Sequence, residues 1–459
     1  MTRGGSSVVL ADRAGIVPLQ EGDPVADTVG RLWNLDLLQH PDVEERARWL
    51  LLDTLACAAA GLQESELVRF ETLLAELMPG DIRWPGGKLG LSVPGAATLG
   101  AVAACWHEAC EGLALAHGRP GLHVIPVALA LGAARKARLG EVLDAIVVGY
   151  EIGARAGIAM RIRPGLHVDG TWGLLGATAA AARMRGLGSG HAVAALAIAS
   201  CQIPSSLYLP VSMGNTARNT YAAHAAAQGI FFAEAAAAGV TAPMNVFTHA
   251  AAHLAAMPVS PDTWSWPVME DFLILQGYLK PFAAVRHAHY GAEAAHRWRQ
   301  NIHAASTTIR EATLETYPEA LAYCGNRAPE TPIQAQFSLS YAVACILSGH
   351  ELTASAYSDA VLADPESRRI ESLLNVRVSS ELSGRGARLT VLSDAGRHTI
   401  RVDKVLGDPD QPFTCNDVRD KANGLLAPML GEPAATRLIE AILFGDRRVT
   451  LPQLLALGL

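Results

Sequence analysis

The sequence predicts a mainly α protein with a smaller α/β domain, and two observations carry that prediction. From Pro24 to about Asp271, apolar residues recur at three- and four-residue spacing in Ala-, Leu- and Val-rich runs that Gly or Pro interrupts, which is the pattern of buried helices. After Phe272 the texture changes, and β-branched residues alternate with polar ones as they do in half-buried strands.

Taken in order, residues 1–23 are polar, contain Gly and Ser and lack a basic segment feeding an apolar one, so they read as a flexible tail and not as a secretory signal. Helices are expected at 43–62, 96–116, 124–137, 141–160, 171–186, 191–203 and 218–239, and their small side chains allow close approach. A strand is expected at 307–317, helices at 334–348 and 357–362, and a hairpin from 387–392 and 398–403 around Ser393-Asp394-Ala395-Gly396. A loop at 407–412 leads into helices at 414–430 and 432–444. The expected organisation is a tail over 1–23, a helical domain over 24–271, an α/β lid domain over 272–406, and C-terminal helices over 407–459 that rejoin the first domain. One large all-α domain is thus built from both ends of the chain, with the lid inserted.

With 459 residues, half of them hydrophobic, the chain can bury a large core. Its net charge is only −7, from 37 basic and 44 acidic residues, and no Lys/Arg run offers a nucleic acid an electrostatic footing. Uninterrupted apolar stretches stop short of the roughly 18 residues that a membrane span needs. A small-molecule partner is therefore expected. Seven scattered cysteines, an odd number, argue against a disulfide framework and for a reducing, cytoplasmic setting. Cys105, His107 and Cys110 at helical spacing diverge, so no metal site is expected, and Gly170, Gly173 and Gly176 lack the spacing of a dinucleotide fingerprint.

The stretch Gly165-Leu166-His167-Val168-Asp169-Gly170-Thr171-Trp172-Gly173 places one imidazole at the mouth of a small-sided, apolar helix. A positioned imidazole is the commonest proton shuttle, although an isolated histidine more often caps a helix or sits satisfied in a core. Lys280, beside Pro281 at the expected domain junction, suits a substrate carboxylate or a forming enolate. Tyr341 has a hydroxyl to present to the cleft, and Arg218 with Asn219 suits a planar anion.

Several segments together resemble the MmgE/PrpD family, which includes 2-methylcitrate dehydratase, cis-aconitate decarboxylase and iminodisuccinate epimerase. They are Leu51-Leu52-Asp53-Thr54-Leu55-Ala56-Cys57, the His167 stretch, Lys280-Pro281-Phe282-Ala283-Ala284-Val285-Arg286-His287-Ala288-His289, Gln336-Phe337-Ser338-Leu339-Ser340-Tyr341 and Gly407-Asp408-Pro409, in the family's order. Arg218-Asn219 is most similar to the epimerase-type branch. The resemblance implies a helical domain, a lid, a homodimer and no metal or organic cofactor. It also implies catalytic roles for His167, Lys280 and Tyr341, and for Glu108 and Glu111 in place of the family's acidic cluster. Arg119, Arg218, Asn219, His107, His117 and His289 are implied in substrate binding. The chain departs from the family around 107–121: aliphatic Leu113 to Leu115 and cationic Arg119 stand where imidazoles are usual, with His107 and His117 as the nearest substitutes. The expected function is cofactor-independent proton transfer, as an epimerase, isomerase or lyase, next to a carboxylate or carbonyl of a small anionic substrate. The alternative is a catalytically altered paralogue that binds a ligand or serves a specialised biosynthetic step.

Overall fold

The computed structural model describes residues 23–255, 264–302, 308–382 and 384–458. Of the expected tail only Asp23 falls within them, and Thr307 of the first expected strand lies outside.

The N-terminal part is built from α1 (Pro24–Trp33), α2 (Pro41–Gly61), α3 (Ser65–Leu77), a short strand β1 (Pro79–Ile82), α4 (Val93–Trp106), α5 (Pro120–Arg135), α6 (Leu139–Ala159), α7 (Gly173–Arg185), α8 (Ser189–Ser200), the single turn α9 (Leu209–Ser212), α10 (Tyr221–Ala237) and α11 (Val246–Leu254). Starts are set by local chemistry. Asp23 caps α1 by accepting the N–H groups of Val25 and Ala26, and a proline in the first turn opens α1, α2, α4 and α5. Helix α7 lies at the centre, against α5, α6, α8 and α10. Its contact with α6 has no room for a side chain, since a Cβ at Gly176 would come within 2.8 Å of the Gly149 carbonyl oxygen. That close approach explains the Gly and Ala content read from the sequence.

The second part holds α12 (His289–Ile302), β2 (Ile309–Thr316), α13 (Pro318–Cys324), α14 (Pro332–Gln336), α15 (Leu339–Ser348), α16 (Asp359–Leu362), α17 (Pro365–Leu373), β3 (Leu374–Val378), β4 (Ala387–Ser393) and β5 (Gly396–Val402). The strands form one mixed sheet in the order β3-β2-β4-β5, with β2 parallel to β3 and the other pairs antiparallel. Residues 387, 389, 391 and 393 of β4 face the core that α12 covers. Finally α18 (Cys415–Leu430), α19 (Glu432–Phe444) and α20 (Leu451–Leu455) follow, and α18 and α19 pack on α2, so both ends of the chain share one helical core.

The fold is mainly α with a smaller α/β part, as the sequence predicts. Four local expectations change. The helix expected over 96–116 stops at Trp106, because Glu108 takes a left-handed φ of 53°. The helix expected over 334–348 breaks at Phe337, where Ser338 caps α15 through the Tyr341 N–H. The helix expected over 357–362 is helical only over Asp359–Leu362, and strands β1 and β3 were not anticipated. No helix among the described residues is long and apolar enough to cross a membrane.

Candidate active site

A cavity of about 420 Å³ opens where the two parts meet. His167, Lys280, Glu108, Arg119, Arg218 and His117 all line it. Seven Lys and Arg side chains line it against three Asp and Glu, in a chain whose net charge is −7, so the cavity is an electropositive exception. Glu108 and His117 hold left-handed φ values of 53° and 54°. Such backbone persists where surrounding structure over-determines it, commonly at functional sites.

The floor is an ionic cluster. Lys280 Nζ donates to Glu108 Oε1 at 2.7 Å and to the Glu108 carbonyl oxygen at 2.8 Å. Arg218 and Arg119 donate to Glu108 Oε2 at 2.8 and 3.1 Å, and Arg119 also pairs with Asp169. Three cations thus meet two carboxylates, and the cluster keeps one surplus positive charge. Burial alone would raise the Glu108 pKa, but Arg119, Lys280 and Arg218 outweigh it and hold the carboxyl well below the usual carboxylate range. Asp169 is lowered in the same way, with Arg119 outweighing burial. Burial pushes the Lys280 ammonium down from its ordinary value while Glu108 opposes the shift.

Neighbouring segments fix these groups. The backbone of Tyr278 exchanges two hydrogen bonds with Gly112, and Leu279 N–H donates to the Gly407 carbonyl, so Lys280 is delivered from a strand-like stretch held on both sides. At Gly407, with φ of 95°, a Cβ would come within 2.0 Å of the Leu279 carbonyl oxygen, so only glycine fits. Arg286 pairs with Asp408 of the same loop. Arg218 lies 5.1 Å over the Phe337 ring and donates to Asn219 Oδ1 at 3.0 Å. His123 accepts the Gly170 N–H at Nε2 (2.9 Å), which leaves Nδ1–H to donate to the Arg119 carbonyl (2.9 Å) and ties the start of α5 to the His167 loop.

His167 is held by its own N–H on the Ser206 carbonyl at 2.7 Å, and its ring stacks on Tyr208 with centroids 5.9 Å apart. The Asp169 backbone N–H donates to His167 Nδ1 at 3.0 Å. Nδ1 is therefore unprotonated, and the neutral ring carries its proton on Nε2, which among the described residues has no protein partner. Burial, reinforced by Arg218 and Arg119 against the opposing Asp169, lowers its pKa to about 4.

Five expected residues lie outside this cavity. Tyr341 is buried in α15 and spends its hydroxyl on the Ala356 carbonyl, so it does not reach the cleft. Glu111 accepts the Gly121 N–H at 2.7 Å and caps α5. His107 turns to Glu64 at 2.6 Å, His289 sits on the Ala284 carbonyl at 3.0 Å, and Asn219 backs Arg218. Residues that sequence reasoning missed include Asp169, His123, Tyr208, Arg161, Arg163 and Arg385; only Asp169 had a signal, two places after His167. Among the described residues no three His, Cys, Asp or Glu side chains converge as metal ligands. Cys105 and Cys110 each accept from Arg119, at 3.2 and 3.4 Å.

No curated protein matches the chain. Two family models do: the MmgE/PrpD N-terminal domain over residues 34–263 and the MmgE/PrpD C-terminal domain over residues 282–444. These matches cover most of the sequence and include His167 and Arg218, while Lys280 stands between them, two residues before the second begins: the chain belongs to the MmgE/PrpD family.

Proposed function

We propose that this protein moves a proton at a carbon next to a carboxylate or carbonyl of a small anionic substrate, without a cofactor. Family membership supports an enzyme of the dehydratase, lyase or isomerase type. The observation that carries the finer reading is that an imidazole with a free Nε2–H and a buried ammonium share one electropositive cavity.

In this reading the surplus positive charge of the floor meets the negative charge that grows on the substrate oxygen as an enolate forms. Lys280 is already oriented by Glu108, so little reorganisation is needed at that moment. From its resting tautomer, His167 donates a hydrogen bond from Nε2–H to the forming oxyanion, and it returns a proton to carbon only after it has itself taken one as a base. To act as a base it needs the proton on Nδ1 instead, and the Asp169 carboxylate, 3.8 Å from Nδ1, is the group that would hold it there. Reprotonation on the opposite face gives epimerisation, while loss of a β-leaving group gives a lyase; the Arg218-Asn219 pair favours the first. The same reading takes the enzyme as a cytoplasmic homodimer, in keeping with seven free thiols.

Solvent-deuterium exchange into a panel of small carboxylic acids with an acidic α-hydrogen tests this. Wild type exchanges at least one of them, and His167→Ala lowers the rate about 10²–10⁴-fold with the fold intact by circular dichroism. Exchange that survives His167→Ala, or none with any acid, overturns the reading and leaves a binding protein.

A further inference from the structure

The cavity has a second charged region at its mouth. Arg161 and Arg163 come from the stretch that leaves α6, and Arg385 from the stretch that enters β4. Arg161 and Arg163 are exposed, and their described partners are neutral: His117 Nε2 for Arg161, and the His253 carbonyl at 2.8 Å for Arg163. Burial and Arg161 push the His117 pKa down, with Glu319 opposing them. Arg385 approaches Glu319 no closer than 3.9 Å. Arg161 and Arg163 meet no carboxylate among the described residues and Arg385 has only the 3.9 Å approach of Glu319, whereas every cation of the floor meets a carboxylate at 3.1 Å or less. A preformed anion entering the floor must compete with Glu108 and Asp169, but one stopping at the mouth meets three guanidiniums against the single carboxylate of Glu319, with the donors in the fork geometry that suits carboxylate and phosphate.

We propose that Arg161, Arg163 and Arg385 form a separate anion subsite that binds a carboxylate or phosphate at the end of the substrate remote from the reacting carbon. The substrate is then two-ended: its reacting end goes to His167 and Lys280 with at most one negative charge, and its tail is anionic. Between the two, Leu113, Ala116, Met160, Val168 and Trp172 give the cavity an apolar wall, which suits an aliphatic or otherwise uncharged middle. Because two arginines belong to the helical part and one to the α/β part, the tail is gripped from both sides of the cleft.

This inference rests on the proposed function only in taking the same cavity as the substrate site. Its test is calorimetric titration at low salt with three straight-chain probes: heptanoate, its two-ended counterpart pimelate, and 6-phosphonohexanoate. Wild type binds at least one two-ended probe about tenfold more tightly than heptanoate, and whichever dianion binds better assigns the tail as carboxylate or phosphate. The double variant Arg161→Gln/Arg163→Gln loses about tenfold on that dianion and stays within roughly twofold on heptanoate, and Arg161→Lys/Arg163→Lys recovers part of the loss. Equal binding of one- and two-ended probes, no binding of either dianion at about 10 mM, or equal losses on both probe types overturns the subsite. The two claims fail separately: His167→Ala that keeps the dianion preference but also keeps deuterium exchange sinks the proton-transfer reading and leaves the subsite standing.

Discussion

Glu108 and Glu111 stand three residues apart and are both buried, 4% and 0% exposed, yet their surroundings drive them in opposite directions. For both, burial is the largest influence and favours the neutral acid. Around Glu108 three cations overcome it. Around Glu111 the Asp53 charge adds to burial, the N–H groups of Gly121 and Leu122 offset it only in part, and the carboxyl is pushed up to about 8. At neutral pH one is therefore an ion at the floor of the cavity, and the other is a neutral cap beneath α5. Pairs of acids whose environments separate them in this way divide roles, and here the division is between holding charge for chemistry and holding a helix in place.

The strongest way to break this comparison is Glu108→Gln. The substitution keeps size and removes the charge, leaving Lys280, Arg119 and Arg218 buried with Asp169 as their only described carboxylate. Breaking a buried ion cluster from one side costs about 3–5 kcal/mol, so urea unfolding at pH 7 is expected to show a loss of that size, along with loss of deuterium exchange. A loss below about 1 kcal/mol means that the floor is not organised around Glu108. Next in size is Lys280→Met, which keeps the stem and deletes the ammonium. Exchange is expected to fall about 10²–10³-fold, the usual consequence of removing one stabiliser of a developing oxyanion.

The same contrast has a pH signature. His167 has a folded pKa of about 4, below its unfolded value of 6.5, so between these values the unfolded chain binds more protons and native stability rises with pH. Glu111 does the reverse: its folded pKa of about 8 lies above its unfolded 4.5, so across that window the native state binds more protons and stability falls as pH rises. Where the windows overlap, the two slopes oppose each other. His167→Asn is expected to remove up to about 1.4 kcal/mol per pH unit of rising slope below pH 6.5, and Glu111→Gln a similar falling slope that continues to about pH 8. Unfolding midpoints measured from pH 4.5 to 9 read both. A Glu111→Gln profile parallel to wild type above pH 6.5 would show that Glu111 is ionised after all.

How much of this was legible in the sequence depends on how far each residue's environment is set by its neighbours in the chain. Helical packing was readable because it repeats: the apolar spacing of α2, α6 and α7 extends over several turns, and Gly149 and Gly176 announce close approach. His167, Lys280 and Arg218 were readable because each sits in or near a recognisable segment, and the structure braces them locally: Asp169 N–H on His167, Gly407 on Leu279 beside Lys280, and Phe337 under Arg218. The different fates of Glu108 and Glu111 were not readable. Both fall in a stretch expected to be helical, and the left-handed turn at Glu108 that sends one side chain to the cavity leaves no mark in a periodicity pattern. The mouth was invisible for another reason: Arg161, Arg163 and Arg385 come from irregular segments more than two hundred residues apart, and only tertiary packing gathers them. Strand β3 was missed because it follows α17 directly, with no turn residue to mark the change.

Tyr341 gives the smallest expected effect and sharpens the boundary between scaffold and site. Its motif placed it with His167 and Lys280, but its hydroxyl donates to the Ala356 carbonyl inside the α/β part, and its ring lies 6.2 Å from that of Tyr357. Burial pushes the phenol up, so it is a poor proton donor to anything. Tyr341→Phe removes one buried hydrogen bond and leaves a carbonyl short of a donor, which costs about 0.5–1.5 kcal/mol of stability. Deuterium exchange is expected to stay within about twofold of wild type, because nothing that touches the cavity has changed. A loss of exchange without a matching loss of stability would bring Tyr341 back to the reacting atoms, and it would require α15 to turn its phenol toward Lys280 when substrate binds.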